Sequence, residues 1–171
     1  MDEPVRAWGP DPDADPAILT YTFGGAAPVA SLRPGEVLST WTFDCFGGRV
    51  RSTSDLPSEV CDPRMLNPQT GPFYVEGAEP GDTLAVHFVS IEPREAWGVS
   101  STVPFFGALT STPLTASLQQ ALAERTWIYE IDRAGRAVHY SARDTAFTAA
   151  LPLDPMHGTV GVAPALGEVR S

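Results

Sequence analysis

Apolar and polar residues alternate in separate short stretches of this chain, and few of those stretches run on long enough for a helix. In "GEVLSTWTFD" Val37, Ser39, Trp41 and Phe43 share one parity while Leu38, Thr40, Thr42 and Asp44 share the other. That period of two, rich in aromatic and β-branched residues, predicts a strand ending at Asp44. "DTLAVHFVSIE" places apolar side chains on both parities, as a strand buried on both faces or crossing between sheets would. "TWIYEID", "RAG" and "RAVHYSAR" predict a hairpin over residues 126–143, with Gly135 supplying the turn's backbone freedom. "TAFTAALPLD" and "GTVGVAP" are further strand candidates, and the glycines of the second predict a border with a bend or a ligand. Only "TASLQQALAER" reads as helical, with Leu118, Ala121 and Leu122 spaced along one face behind Thr115 or Ser117 as a cap.

An internal echo links two of these stretches. "LRPGEVLSTWTF" and "AEPGDTLAVHF" both run Pro-Gly-acid, one further residue, Leu, then alternation. Proline presets φ at the first turn position and glycine supplies positive φ at the second, so each copy predicts a tight turn leading into a strand. Seventeen prolines and fifteen glycines interrupt long helices throughout. The pattern predicts an all-β, antiparallel sandwich with little helix.

Composition narrows the picture. The 171 residues are 43% hydrophobic and 19% charged, enough apolar residue for one core and too little charge for a disordered polymer. Net charge is −10, and the eleven basic residues are all arginine without a cluster that would neutralise a phosphate backbone, which argues against nucleic acid as a partner. The acidic, proline-rich "MDEPVRAWGPDPDADPA" has no basic or apolar leader region, and no apolar run reaches membrane-spanning length. These features predict a flexible lead-in over residues 1–17, an organised domain over 18–171, a cytoplasmic location and reduced thiols at Cys45 and Cys61.

The stretches "NPQTGPFYVEGAEPGDTLAVHFVSIEPREAWG", "LPLDPMHGTVGVAPALGEVRS" and "PVASLRPGEVLSTWTFDCFGG" together resemble the acetamidase/formamidase family, across roughly residues 20–171. The resemblance implies a jelly-roll-like β-sandwich and metal-dependent hydrolysis of small amides, formamide or acetamide in type, to a carboxylate and ammonia; a cyclic amide is the alternative substrate. Family members continue well past "GEVRS", so it also implies an N-terminal portion, incomplete at the C-terminus, either a fragment or a naturally shortened product. The alternative function is a non-catalytic sandwich or a partner subunit of a split hydrolase. Either way the chain is expected to be a homo-oligomer or to need the missing C-terminal half.

Amide hydrolysis needs an activated water, a stabilised oxyanion and a proton for the departing nitrogen. A divalent metal, zinc by first choice, would supply the first two. Asp44, at a strand end before "CFGG", is the first metal-ligand candidate, with Gly47 and Gly48 offering main-chain amides to substrate; a capping aspartate is the other reading. Glu76, between Val75 and Gly77, is a candidate ligand or general base, against a glutamate bonded to its own turn. His157 in "LDPMHGTVG" is the second catalytic candidate after Glu76, with Asp154 as a partner that could orient it. Phe105 and Phe106, with Trp97 and Leu109, could wall a small substrate pocket or simply pack under a loop. Cys45 admits a thiolate mechanism instead.

Overall fold

The structure is a computed structural model and describes residues 5–9, 19–107 and 120–170. Its elements in chain order are β1 (Arg6–Ala7), β2 (Thr22–Gly24), β3 (Ala30–Leu32), β4 (Leu38–Ser39), α1 (Pro57–Val60), a 3-10 turn (Pro63–Met65), β5 (Phe73–Val75), β6 (Trp97–Thr102), β7 (Arg125–Asp132), β8 (Ala137–Ser141), β9 (Thr148–Pro152) and β10 (Glu168–Arg170). The all-β expectation holds, and the sheets are open rather than closed into a barrel. No helix among the described residues is long and apolar enough to cross a membrane.

The chain divides into two compact units. Unit 1 comprises Met1–Cys45, Asn67–Ile91 and Met156–Ser171; unit 2 comprises Phe46–Leu66 and Glu92–Pro155.

Unit 2 is built on the antiparallel sheet β6-β7-β8-β9, in which Val99 faces Ile128, Ile131 faces Val138 and Val138 faces Leu151 across the ladders. The predicted hairpin is β7–β8 and "TAFTAALPLD" contains β9. Val50 and Thr126 are fully buried here, and the Thr126 hydroxyl donates to the Asp55 carbonyl at 2.7 Å. Arg143 fastens the same loop to the sheet, donating to the carbonyls of Thr53 at 2.9 Å and Thr126 at 2.6 Å.

The hairpin turn departs from expectation in one respect. Positive φ falls on Arg136, at 52°, and not on Gly135. Gly135 serves instead by lacking a side chain: its N–H donates to Asp132 Oδ1 at 2.8 Å, and a Cβ there would run into that carboxylate. The glycine makes room for an aspartate that closes the turn.

Among the described residues unit 1 contains three two-stranded pairs. β2 and β10 run antiparallel, whereas β1–β4 and β3–β5 run parallel, a departure from a wholly antiparallel arrangement. Within the predicted lead-in, Arg6–Ala7 form β1 and the Trp8 ring meets Phe73 edge-on at 5.0 Å. Both Pro-Gly-acid turns form as expected, with φ of 87° at Gly35 and 103° at Gly81. The Glu36 N–H donates to the Arg33 carbonyl at 3.0 Å while the Glu36 carboxylate accepts from the Arg33 N–H at 2.9 Å. Asp82 and Glu79 repeat this reciprocal pair at 3.0 and 2.9 Å. The acid of the motif is thus a second lock on the turn.

Three expected elements are corrected. The strand over "GEVLSTWTFD" is confined to Leu38–Ser39, the length of its two-residue partner β1, and farther along the Trp41 carbonyl accepts from the Thr70 hydroxyl at 2.7 Å. "DTLAVHFVSIE" and "GTVGVAP" form no strand among the described residues, since alternation makes a strand only where a partner edge is present. In the second, Gly161 lies against Phe23, where a Cβ would approach the ring to 2.7 Å. Of the predicted helix, residues 115–119, including Thr115, Ser117 and Leu118, lie outside the described residues; residues 120–124 carry no helix and Arg125 opens β7.

Candidate functional site

Glu76 follows β5 directly. Its N–H donates to the Leu32 carbonyl at 2.8 Å, extending the β3–β5 pairing by one residue, and the Ala78 N–H closes a turn on the Val75 carbonyl at 3.2 Å. Gly77, at φ 81°, takes the left-handed position of that turn. The backbone of Glu76 is therefore fixed from both sides, while its carboxylate stands 52% exposed with Arg33 Nε at 3.8 Å. An ion pair this open to water holds its partners weakly, so the carboxylate can exchange Arg33 for another cation. Arg33 is a neighbour that the sequence reading did not name.

Asp44 is half-buried, and beyond it the Cys45 carbonyl accepts from the Asn67 N–H at 2.8 Å. His157 is half-buried, with its ring centroid 5.8 Å from that of Phe88 and the planes tilted by 39°. Asp44, Glu76 and His157 all belong to unit 1, and Asp154 belongs to unit 2. Among the described residues no three His, Cys, Asp or Glu come together as a metal-binding group.

The remaining candidates lie in unit 2. Gly47 and Gly48, at φ 63° and 71°, are the two central residues of a turn that the Arg49 N–H closes on the Phe46 carbonyl at 3.3 Å. Two consecutive positive φ values make the mirror image of a common turn, which glycine adopts without steric cost. Gly48 is buried and its carbonyl accepts from Arg51 Nε at 2.6 Å. Phe105 takes φ 62° in the turn that the Phe106 N–H closes on the Val103 carbonyl at 3.2 Å. A bulky aromatic residue in that conformation is strained, and both rings are exposed. Phe106 lines a concavity of about 180 Å³ with Ser101, Thr102, Val103 and Leu122, below the range of about 300–1,000 Å³ that suits drug-sized ligands. Leu109 lies outside the described residues.

A second concavity, about 220 Å³, is lined by Thr53, Leu56, Glu124, Arg125, Arg143 and Asp144. Its charges are already committed: Arg125 to Asp144, Arg143 to two carbonyls, and Glu124 to the N–H of Ser58 at 2.8 Å and to its hydroxyl. Two acids that pattern alone did not single out are also structural. Asp55 Oδ2 accepts from the Arg51 and Ser52 N–H groups at 2.9 and 2.8 Å, which lowers its pKa. Asp62 is gripped by the Arg64 side chain and N–H, which bring its carboxyl down to about 2.

Comparison with known proteins accounts for this combination of β pairs and glycine turns. The profile of the acetamidase/formamidase family matches residues 25–167. A protein of Schizosaccharomyces pombe named as a formamidase is 33% identical over 75 residues, covering 41% of this chain and 18% of its own length. Among solved structures, acetamidase from Yersinia enterocolitica matches 99% of this chain at 32% identity and a TM-score of 0.81, and acetamidase from Bacillus halodurans matches 89% at 28% identity and 0.64. The chain spans about half of each solved protein, 49% and 46% respectively. With the profile matched across most of its length, the chain belongs to the acetamidase/formamidase family.

Proposed function

We propose that the chain serves the hydrolysis of small linear amides, formamide or acetamide in type, to a carboxylate and ammonia. The observation that carries this reading is the likeness of 99% of the chain to a solved acetamidase at 32% identity. In the reaction water adds to the amide carbon, the C–N bond breaks, and the nitrogen leaves with a proton. Glu76 is assigned to take the proton from water, and the fixed backbone on either side of it suits that task. His157 is assigned to the leaving nitrogen or the oxyanion. The Gly47 and Gly48 amides and the Phe105 and Phe106 rings are assigned to substrate.

A divalent metal, with zinc the first choice, belongs to the proposal, and Asp44 and Glu76 would be its carboxylates from this chain. The fit is incomplete: no group of three donors exists among the described residues, so the ion needs ligands from elsewhere. No step of the reaction is therefore assigned to it. A cytoplasmic location is proposed with it, as the setting that keeps Cys45 and Cys61 as thiols.

The test is ammonia release from formamide and acetamide by the purified chain, supplied with zinc and with the part of a solved relative that the chain does not match. Release that falls at least about a hundredfold in Glu76→Gln, the scale of a lost general base, supports the reading. No ammonia from either amide overturns it.

A further inference from the structure

The concavity of about 220 Å³ in unit 2 gathers four charged side chains, Glu124, Arg125, Arg143 and Asp144, beside Thr53 and Leu56. Its walls are tied in place by the fold itself. Arg143 Nη1 donates to the carbonyls of Thr53 and Thr126, the Thr126 hydroxyl donates to the Asp55 carbonyl, and Glu124 accepts from the N–H and hydroxyl of Ser58. The bonds that commit these charges nevertheless use only part of each group. A guanidinium carries five N–H donors, and among the described residues the side chains of Arg143 and Arg125 donate through Nη1 alone, the first to its two carbonyls and the second to Asp144 Oδ2. Nε and Nη2 of both arginines keep donors to give, and Asp144 Oδ1 keeps its capacity to accept.

The formal charges of this wall cancel, two positive against two negative, and the two signs are in direct contact at the Arg125–Asp144 pair. A ligand that matches the wall carries both signs on neighbouring groups. A simple anion would meet two carboxylates here and a chain of net charge −10 around them, whereas a simple cation would leave two guanidiniums unused. The volume lies below the range of about 300–1,000 Å³ of drug-sized sites, which selects a small molecule. We propose that this concavity binds a small zwitterion, a free α-amino acid with a short aliphatic side chain, its carboxylate on the open nitrogens of Arg143 and Arg125, its ammonium on Asp144 and Glu124, and its side chain against Leu56. The Arg125–Asp144 pair, with side chains 46% and 70% exposed, is held loosely enough to share its charges with such a ligand.

Calorimetric titration of the purified chain with glycine, alanine and valine tests this, set against acetate and ethylammonium, each of which carries only one of the two charges. The expected result is one-to-one, saturable binding of at least one amino acid at millimolar concentration, with acetate and ethylammonium at least about tenfold weaker. Asp144→Asn and Arg125→Gln should each weaken that binding about tenfold, the scale of one lost charge-assisted hydrogen bond, and because both side chains are exposed the circular dichroism should match the parent. The exchanged pair, Arg125→Asp with Asp144→Arg, keeps an ion pair but reverses its polarity, so it should fold as the parent does and still bind poorly. The inference is overturned by no saturable binding of any of the three amino acids, by acetate or ethylammonium binding as tightly as they do, or by unchanged affinity in the variants. Binding alone is read throughout, so this site stands or falls independently of the proposed hydrolysis.

Discussion

Phe105 holds a backbone conformation that a glycine would adopt freely, and the cost of keeping a phenyl ring there is of order 1 kcal/mol. If the ring serves substrate, Phe105→Gly should raise the unfolding free energy by about 1 kcal/mol in urea melts while raising KM for acetamide. A gain in stability with KM unchanged would assign the ring to the turn alone. Asp62 shows a different local economy. Its folded pKa, about 2, lies below the ordinary 3.8, so its contribution to stability is complete above about pH 3.8 and is lost as pH falls through about 2. Asp62→Asn should therefore lower the urea midpoint at neutral pH and flatten the fall in that midpoint between these two values. Equal acid sensitivity in the variant and the parent would assign the effect to other carboxylates. Gly135 and Arg136 mark the limit of reading residues from sequence. The turn was legible, but which residue would take positive φ depended on where the Asp132 carboxylate settled.

At the scale of elements, the legible parts were those whose causes lie within a few residues. Both Pro-Gly-acid turns close through bonds between residues three apart, and β7–β8 closes through a turn of four, so local chemistry sufficed. The parallel pairs β1–β4 and β3–β5 join residues more than thirty positions apart, and nothing in either partner's own pattern names the other. Residues 83–91 show the converse. Their alternation is genuine, but the strand it describes needs an edge that the described residues do not provide. Gly161 ties one such segment to a formed one: a methyl group at this position would press on Phe23 of β2. Gly161→Ala is expected to cost about 1–3 kcal/mol by overpacking, measured by thermal or urea unfolding, whereas Phe23→Leu in the same background should recover part of the loss. A neutral Gly161→Ala would mean that the ring moves aside freely.

For the molecule as a whole, family membership was readable because it resides in composite stretches of sequence, while the assembly of a site was not. Asp44, Glu76 and His157 could each be chosen from their neighbours in the chain. Their gathering into unit 1, apart from Gly47, Gly48, Phe105 and Phe106, is a property of the fold that spacing does not encode. The division between the units passes immediately after Cys45, and Cys61 lies in the other unit. As the chain contains just these two cysteines, neither in a disulfide, maleimide dyes can be placed one per unit without any mutation. Energy transfer between such dyes would follow the spacing of the two units in real time as the chain folds.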